Sequence, residues 1–176
     1  ITLERAADYE SALREKGFVV ADYAARRADV AAQVRAKAAE LGGTAVIDEA
    51  LLDEVSSLVE WPRALAGRFE ERFLEVPAEA LISSMKQHQK YFHVVDANGA
   101  LLPYFITVSN IDSSDAQKVV DGNERVIRPR LTDAAFFFAQ DKQSTLAAQR
   151  ERLRSIVFQT DLGSIWDKTE RVAKLA

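Results

Sequence analysis

The chain has 176 residues, of which 48% are hydrophobic and 28% are charged, with a formal net charge of -4 and no cysteine. This composition is typical of one globular domain, or of one small domain with helical extensions. It excludes disulfide bonds and thiolate metal sites, and the negative charge argues against generic affinity for nucleic acid. No apolar run approaches the roughly 20 residues that span a bilayer, and no signal-peptide pattern occurs, so a cytoplasmic protein is expected.

The two ends of the chain indicate a piece of a larger polypeptide. The sequence starts at Ile1 rather than at Met, and it stops at Ala176 within a helical pattern. We therefore expect that part of the chemistry belongs to regions outside this piece.

The first part of the chain is predicted to be helical. Gly17 ends the first predicted helix, and Gly42 follows the second, as is common at helix C-termini. Asp48 is a candidate N-cap for the third, which stops before Pro62. The three helices are predicted over 6–16, 22–41 and 48–59.

The middle of the chain changes to a pattern of strands. Residues 64–69 and 73–74 are predicted to be extended, and Pro77 suits the first position of a helix over 77–88. Strands over 91–95 and 101–109 flank the turn Asp96-Ala97-Asn98-Gly99, since Asn and Gly tolerate positive φ. Pro103 favours an edge position or a late start to pairing in the second strand.

The last third is predicted to be helical again, over 114–120, 123–139, 144–154 and 164–176. Pro129 is expected to kink or divide the second of these helices. Of Phe136, Phe137 and Phe138, at least two are expected in the core, because three consecutive side chains cannot share one helix face.

The elements together predict an α+β fold, with a small, mainly antiparallel sheet and packed helices, preceded by a helical arm. The predicted domains are a helical arm or spacer over 1–47, an α+β core over 48–142 and a helical connection over 143–176.

Catalytic and metal motifs are weak. Ser83-Ser84-Met85-Lys86 has the S-x-x-K spacing of serine acyl enzymes, but the companion S-D-N and K-T-G motifs are missing. His88 and His93 are the two histidines, and neither belongs to a metal-ligand motif. There is no phosphate-binding glycine loop. We therefore predict no catalytic residue and no metal site in this chain.

Two segments could contact RNA. Arg125, Arg128 and Arg130 lie within six residues, in a stretch (118–154) that holds eight Lys and Arg against five Asp and Glu. Arg guanidinium groups match phosphate oxygens. The second segment, Lys86 to Phe92, mixes basic, amide and aromatic side chains that could hold phosphate and stack on a base. Solvated helix faces would give the same patterns.

A series of phrases resembles the beta subunit of the bacterial glycyl-tRNA synthetase of alpha-beta type. The phrases, in order, are Leu51-Leu52-Asp53-Glu54-Val55, Val59-Glu60-Trp61-Pro62, Phe69-Glu70-Glu71-Arg72-Phe73-Leu74, Val76-Pro77-Ala78-Glu79-Ala80-Leu81-Ile82, Met85-Lys86 with Gln89-Lys90-Tyr91-Phe92, Ser109-Asn110-Ile111, Gly122-Asn123-Glu124-Arg125-Val126-Ile127-Arg128-Pro129-Arg130-Leu131, Asp133-Ala134 with Phe136-Phe137-Phe138, and Leu162-Gly163 with Asp167-Lys168-Thr169-Glu170-Arg171. The resemblance is densest over 51–171, and residues 1–47 are less distinctive.

The resemblance implies that glycine and ATP, with Mg²⁺, are bound by a separate alpha subunit, and that no cofactor belongs to this piece. It implies an alpha subunit, tRNA(Gly) and a second beta subunit in a heterotetramer as partners, and no membrane. The HD-like and anticodon-binding domains of the family would follow this piece. Family-like positions that could touch tRNA or the alpha subunit are Lys86, Gln89, Lys90, Tyr91, Arg125, Arg128 and Arg130.

Three functions remain open at this point. The preferred hypothesis is a module for tRNA binding and for subunit or domain assembly, which supports attachment of glycine to tRNA(Gly). A second is a purely structural scaffold, in which the arginines pair with acids such as Glu124 and Asp133. A third is an editing hydrolase of misacylated tRNA, with a pocket that holds Ser83 or His88.

Overall fold

The computed structural model describes residues 1–176 and has an α+β fold, as predicted. The chain divides into two compact units, residues 1–134 and residues 135–176. The helices are α1 (Tyr9–Ala12), α2 (Tyr23–Glu40), α3 (Glu49–Leu58), α4 (Ala78–Gln89), α5 (Ala116–Asp141), α6 (Leu146–Arg150) and α7 (Ile165–Ala173). The strands are β1 (Thr44–Ala45), β2 (Arg63–Arg68), β3 (Phe92–Val95), β4 (Leu101–Ser109), β5 (Val157–Gln159) and β6 (Gly163–Ser164). The predicted boundaries at residues 47 and 142 remain predictions.

The first unit contains a four-stranded antiparallel sheet in the order β1-β3-β4-β2. Its centre is the predicted β3–β4 hairpin, which is confirmed. The Asp96 carboxylate accepts hydrogen bonds from the backbone N–H groups of Asn98 and Ala100, both at 2.8 Å. Gly99 adopts φ +82°, a conformation that glycine reaches without steric cost.

Of the two alternatives for Pro103, the edge position is wrong, whereas a late start to pairing agrees with the β2 side, where β4 pairs from Tyr104 onward. Pro103 lies in β4, which pairs with β3 on one side and β2 on the other. The β3–β4 register shifts between His93 and Val95, so the missing N–H of Pro103 falls where the ladder is already irregular. Its carbonyl still accepts a hydrogen bond from the N–H of Phe69 at 3.1 Å.

Helices α2 and α3 confirm the predictions for 22–41 and 48–59, and their apolar faces pack in one core cluster with the sheet. The side chains of Asp22 and Asp48 cap the two N-termini. The cluster is made by apolar side chains of both helices and of β1 to β4, among them Val30, Val34, Ala38, Leu52, Val55, Phe92, Val94 and Ile106. The predicted helix over 6–16 is present as a 3-10 turn, the short α1 and a π-helical turn over Leu13–Gly17.

Helix α4 begins after Pro77 and ends at Gln89, and its C-cap, Lys90, takes a left-handed conformation with φ 59°. This agrees with the predicted helix over 77–88. The prediction that 73–74 is extended is wrong, since Glu71–Glu75 forms a 3-10 helix that buries Phe73. A large apolar side chain can be buried by a single helical turn as well as by a strand.

Helix α5 is one continuous helix of 26 residues with Pro129 inside it, so the predicted break near 121–122 is wrong. A single glycine at position 122 is tolerated because glycine in a helix interior reduces helix stability by only about 1 kcal/mol relative to alanine. Ile127 and Leu131, four residues apart, are the buried residues of α5.

The second unit, residues 135–176, contains α6, a 3-10 segment over Glu151–Ser155, the two-stranded β5–β6 sheet and α7. The predicted helix over 144–154 is therefore only partly α-helical, and the small sheet is a difference from the predicted all-helical end. The expectation of two buried phenylalanines is wrong, because Phe136 and Phe137 are 56% and 62% exposed. No helix of the chain has the length and apolarity to cross a membrane.

Candidate functional site

The three arginines of the cluster lie on α5 and are all exposed. Arg125 and Arg128 are three residues apart and share a helix face, whereas Arg130 is five residues from Arg125 and points to a different side. Ile127 and Leu131 anchor this part of the helix in the core. Arg125 and Arg130 make no ion pair and no side-chain hydrogen bond, so their guanidinium groups are available to a ligand.

Arg128 is partly engaged within the chain. Its Nε donates to Oε1 of Glu70 at 2.6 Å. The hydrogen bond of Glu70 with its own backbone N–H, together with Arg128, holds the pKa of the Glu70 carboxyl below its usual range. Both side chains line a small pocket of about 140 Å³ with Arg68, Phe69 and Glu124.

The scaffold hypothesis expected Glu124 and Asp133 to pair with the arginines, but neither acid forms an ion pair with them. Glu124 instead accepts a hydrogen bond from the backbone N–H of Arg68 at 2.9 Å, and Asp133 has no ion-pair partner. The partner of Arg128, Glu70, is 58 residues away along the chain, and local sequence does not reveal such a contact.

The second predicted segment lies where α4 meets β3. Lys86 pairs with Asp48 through Nζ and Oδ2 at 2.6 Å, and Lys90 pairs with Glu54 at 2.8 Å. The hydrogen bond from Lys86, with that from the Leu51 N–H, lowers the pKa of Asp48. The two lysines therefore pair with the N-cap and with the middle of α3, and both are partly exposed.

Tyr91 lies inside the first unit rather than on its surface. Its side chain is 2% exposed, and its ring stacks on Phe105 with 4.4 Å between ring centroids. The hydroxyl donates to Oδ1 of Asn123 at 2.6 Å. Burial raises the pKa of Tyr91 to about 12. Gln89, two residues earlier, is half-buried and makes no side-chain hydrogen bond.

One side-chain hydrogen bond connects the elements that carry the two predicted segments. The Tyr91–Asn123 hydrogen bond connects the start of β3 to α5, two residues from Arg125. The ion pairs of Lys86 and Lys90 lead to α3, whereas that of Arg128 leads to Glu70. The free cations of the candidate site are thus those of Arg125 and Arg130.

The Ser83 and histidine corner shows no catalytic arrangement. No hydrogen bond joins Ser83 to Lys86 or to either histidine, so nothing activates the Ser83 hydroxyl. Burial lowers the pKa of His93, which favours its neutral form. The chain contains no cluster of three or more histidine and carboxylate side chains that could hold a metal ion.

A basic and aromatic cluster in residues 135–176 was not identified from the sequence. The guanidinium groups of Arg150 and Arg154 lie 4.2 and 3.5 Å from the centroid of the Trp166 ring. Arg150 also pairs with Glu170. The alternation of Arg150, Arg152 and Arg154 was the available signal of a basic cluster. It does not reveal that Trp166, twelve or more residues later, packs against two of these arginines.

Comparisons with known proteins agree with the resemblance in the sequence. The family model described as glycyl-tRNA synthetase beta subunit matches residues 1–176. The chain is 62% identical over its whole length to the glycine--tRNA ligase beta subunit of Hahella chejuensis and covers 25% of that protein. It is 62% identical over 171 residues to the namesake of Marinobacter nauticus, and 54% identical over 176 residues to that of Acinetobacter baumannii. The chain spans 25% of the length of each of these relatives.

Proposed function

Because the chain belongs to the glycyl-tRNA synthetase beta-subunit family, we propose that it is a module for tRNA positioning and assembly within that subunit. The reaction served is the ATP-dependent attachment of glycine to tRNA(Gly), which releases AMP and diphosphate. In this proposal an alpha subunit binds glycine and ATP with Mg²⁺, a second beta subunit completes a heterotetramer, and the complex works in the cytoplasm.

The observation that carries the proposal is the pair of free guanidinium groups on α5. Arg125 and Arg130 are exposed and have no acidic partner, although the first unit is rich in carboxylates. Ile127 and Leu131 anchor this part of the helix and so define the backbone positions of the two arginines. Their planar guanidinium groups match phosphate oxygens and lose little entropy per hydrogen bond.

Arg128 would join the phosphate contact by exchanging the Glu70 carboxylate for a phosphate group. Its pair with Glu70 is exposed enough that water screens it, and such pairs contribute about 0–1 kcal/mol. An approaching phosphate can replace the Glu70 carboxylate at small cost. Phosphate contacts fix the position of the tRNA, whereas base identity is read by other contacts.

The test is a titration of this chain with tRNA(Gly) transcripts across a series of salt concentrations. Each phosphate contact that is lost should reduce the slope of log affinity against log salt by about one. We expect Arg125→Ala and Arg130→Ala to weaken binding and to reduce the slope. Arg35→Ala is the matched control, because Arg35 is also an exposed, unpaired arginine on a helix, α2.

A noncognate tRNA in the same titration separates positioning from recognition. If phosphate contact is the role of these arginines, both tRNAs lose affinity in the variants. Binding that is unchanged in Arg125→Ala and Arg130→Ala, or weakened equally by Arg35→Ala, would contradict the proposal.

The scaffold hypothesis is the second candidate, and specific contacts favour it. Four of the seven predicted tRNA-contact residues bind partners within the chain: Lys86 to Asp48, Lys90 to Glu54, Tyr91 to Asn123 and Arg128 to Glu70. A base could stack on the Tyr91 ring only if Phe105 moved away. The scaffold function predicts that substitution of these residues changes stability and leaves tRNA affinity unchanged.

The editing hypothesis lacks comparable support. It requires an activated Ser83 or a histidine base, and no hydrogen bond connects these groups. Hydrolysis of mischarged tRNA by this chain, lost in Ser83→Ala, would restore the hypothesis.

A further inference from the structure

A pocket of about 430 Å³ lies on the first unit, between the turn that follows the π-helical segment and the loops that precede β2 and follow β4. Its apolar lining includes Phe18, Trp61 and Ile111. Phe18 and Ile111 are each 61% exposed, and the Phe18 ring meets Trp61 edge-on at 5.6 Å between centroids. Large apolar side chains exposed around a concave surface indicate an interaction site.

The backbone of Phe18 is in an uncommon conformation. Its φ of 54° and ψ of 48° are left-handed, a region that bulky residues rarely adopt and that glycine or asparagine adopts easily. Hydrogen bonds on its C-terminal side hold it there, from the Val19 N–H to Leu13 and from the Val20 N–H to Glu60. The left-handed conformation ends the π-helical segment and leaves the exposed Phe18 ring at the rim of the pocket.

Most polar groups around the pocket are already used. Oδ1 of Asn110 accepts from the backbone N–H groups of Glu60 and Trp61 at 2.7 and 2.9 Å. Arg63 pairs with Asp112 at 3.1 Å, and its guanidinium lies 4.8 Å from the centroid of the Trp61 ring. The Glu60 carboxylate is exposed and makes no hydrogen bond or ion pair. The pocket therefore offers apolar surface and one free negative charge.

We propose that this pocket is a docking site for a segment of another polypeptide, which inserts a large apolar side chain and carries an adjacent lysine or arginine. The apolar side chain is removed from water against Phe18 and Ile111, and the cation pairs with Glu60. Aromatic side chains such as Trp61 are common anchors of protein interfaces. This inference rests on the assembly part of the proposed function and is independent of the tRNA contact, since it involves no nucleic acid.

The chemistry of the pocket favours a polypeptide over the other occupants. A small molecule needs convergent polar groups that fix its orientation. Here the polar groups of Asn110, Arg63 and Asp112 are already engaged with one another or with the backbone. A nucleic acid would bring its phosphates close to the unpaired carboxylate of Glu60, which repels them.

The test uses two capped peptides that differ in one residue: Gly-Ser-Trp-Lys-Ser-Gly and Gly-Ser-Trp-Glu-Ser-Gly. Binding to the isotope-labelled 176-residue chain is followed by NMR, through the signals of the Trp61 indole N–H and the Ile111 amide. We expect saturable shifts with the lysine peptide and affinity at least about tenfold weaker for the glutamate peptide, a difference of about 1.4 kcal/mol. Glu60→Lys should reverse this preference.

Phe18→Asn removes the ring and suits the left-handed backbone, so it separates loss of binding from loss of folding. We expect the variant to fold and to bind neither peptide. Equal affinity for both peptides, no shift at the pocket, or displacement of the lysine peptide by tRNA would overturn the proposal. So would self-association of the chain that Phe18→Asn abolishes, because it would identify a second copy as the occupant.

Discussion

The hydroxyl of Tyr91 is enclosed, with Phe105 against its ring and Asn123 as its acceptor. Removing the hydroxyl in Tyr91→Phe leaves the Asn123 oxygen without its donor. We expect the free energy of unfolding at neutral pH to fall by about 1–2 kcal/mol, as measured by urea denaturation. The same change should leave tRNA affinity unchanged if the role of Tyr91 is structural.

The raised pKa of Tyr91 gives this prediction a pH dependence. An ordinary tyrosine loses its proton near pH 10, whereas the folded chain retains that of Tyr91 up to about pH 12. The contribution of the group to stability is therefore complete below pH 10 and is lost as the pH rises towards 12. Between neutral pH and about pH 11, the original chain should lose more stability than Tyr91→Phe does. Parallel losses in the two proteins would show that burial does not perturb this phenol.

At the scale of single elements, the N-terminus of α3 links the fold to the candidate site. The Asp48 carboxylate accepts from the Leu51 N–H at 2.9 Å and also pairs with Lys86. We expect Asp48→Ala to reduce the free energy of unfolding by about 1 kcal/mol through loss of the cap. Lys86→Met, which removes the partly exposed ion pair and leaves the cap, should cost less than Asp48→Ala, about 0.5 kcal/mol. Urea denaturation of both variants measures the difference.

The charge of Asp48 adds a test at low pH. Lys86 and the Leu51 N–H lower the pKa of this carboxyl, so its contribution is present above its ordinary pKa of 3.8 and is lost as the pH falls through the lowered value. Asp48→Asn keeps a capping oxygen and should be less sensitive to acid than the original chain. An equal loss of stability in acid would contradict this role of the carboxylate.

The elements that could be predicted from sequence are those with local signals. Asn98 and Gly99 define the hairpin turn, and Asp48 with Pro62 bounds a helix. The strands of β1, β5 and β6 have two or three residues, too few for a periodic pattern to appear. The edge-strand alternative for Pro103 is wrong because a register shift, which depends on the partner strand, accommodates the proline inside the sheet.

The candidate site was predictable in part for the same reason. Positive charge at Arg125 and Arg130 can be read from the sequence, and the structure leaves both residues exposed. The acids that engage the other cations, Asp48, Glu54 and Glu70, lie 36 to 58 residues from their partners and are brought close only by tertiary packing. The pocket beside Phe18 likewise combines three segments that are distant in the chain.

At the scale of the whole molecule, the two units differ in how much they bury. The first contains the core cluster between α2, α3 and the sheet, whereas no residue of 135–176 is fully buried. Removal of apolar surface from water is the main favourable contribution to folding. The second unit therefore depends on surface contacts, such as the stacking of Arg150 and Arg154 on Trp166.

This difference predicts that residues 135–176 unfold before residues 1–134, since segments with few buried contacts open at lower free energy. The two tryptophans report on separate units: Trp61→Phe leaves Trp166, and Trp166→Phe leaves Trp61. In urea followed by tryptophan fluorescence, the midpoint reported by Trp166 should come at a lower denaturant concentration than that reported by Trp61. Circular dichroism of both variants controls for effects of the substitutions. Coincident midpoints would mean that the chain unfolds as one cooperative unit and would contradict the prediction.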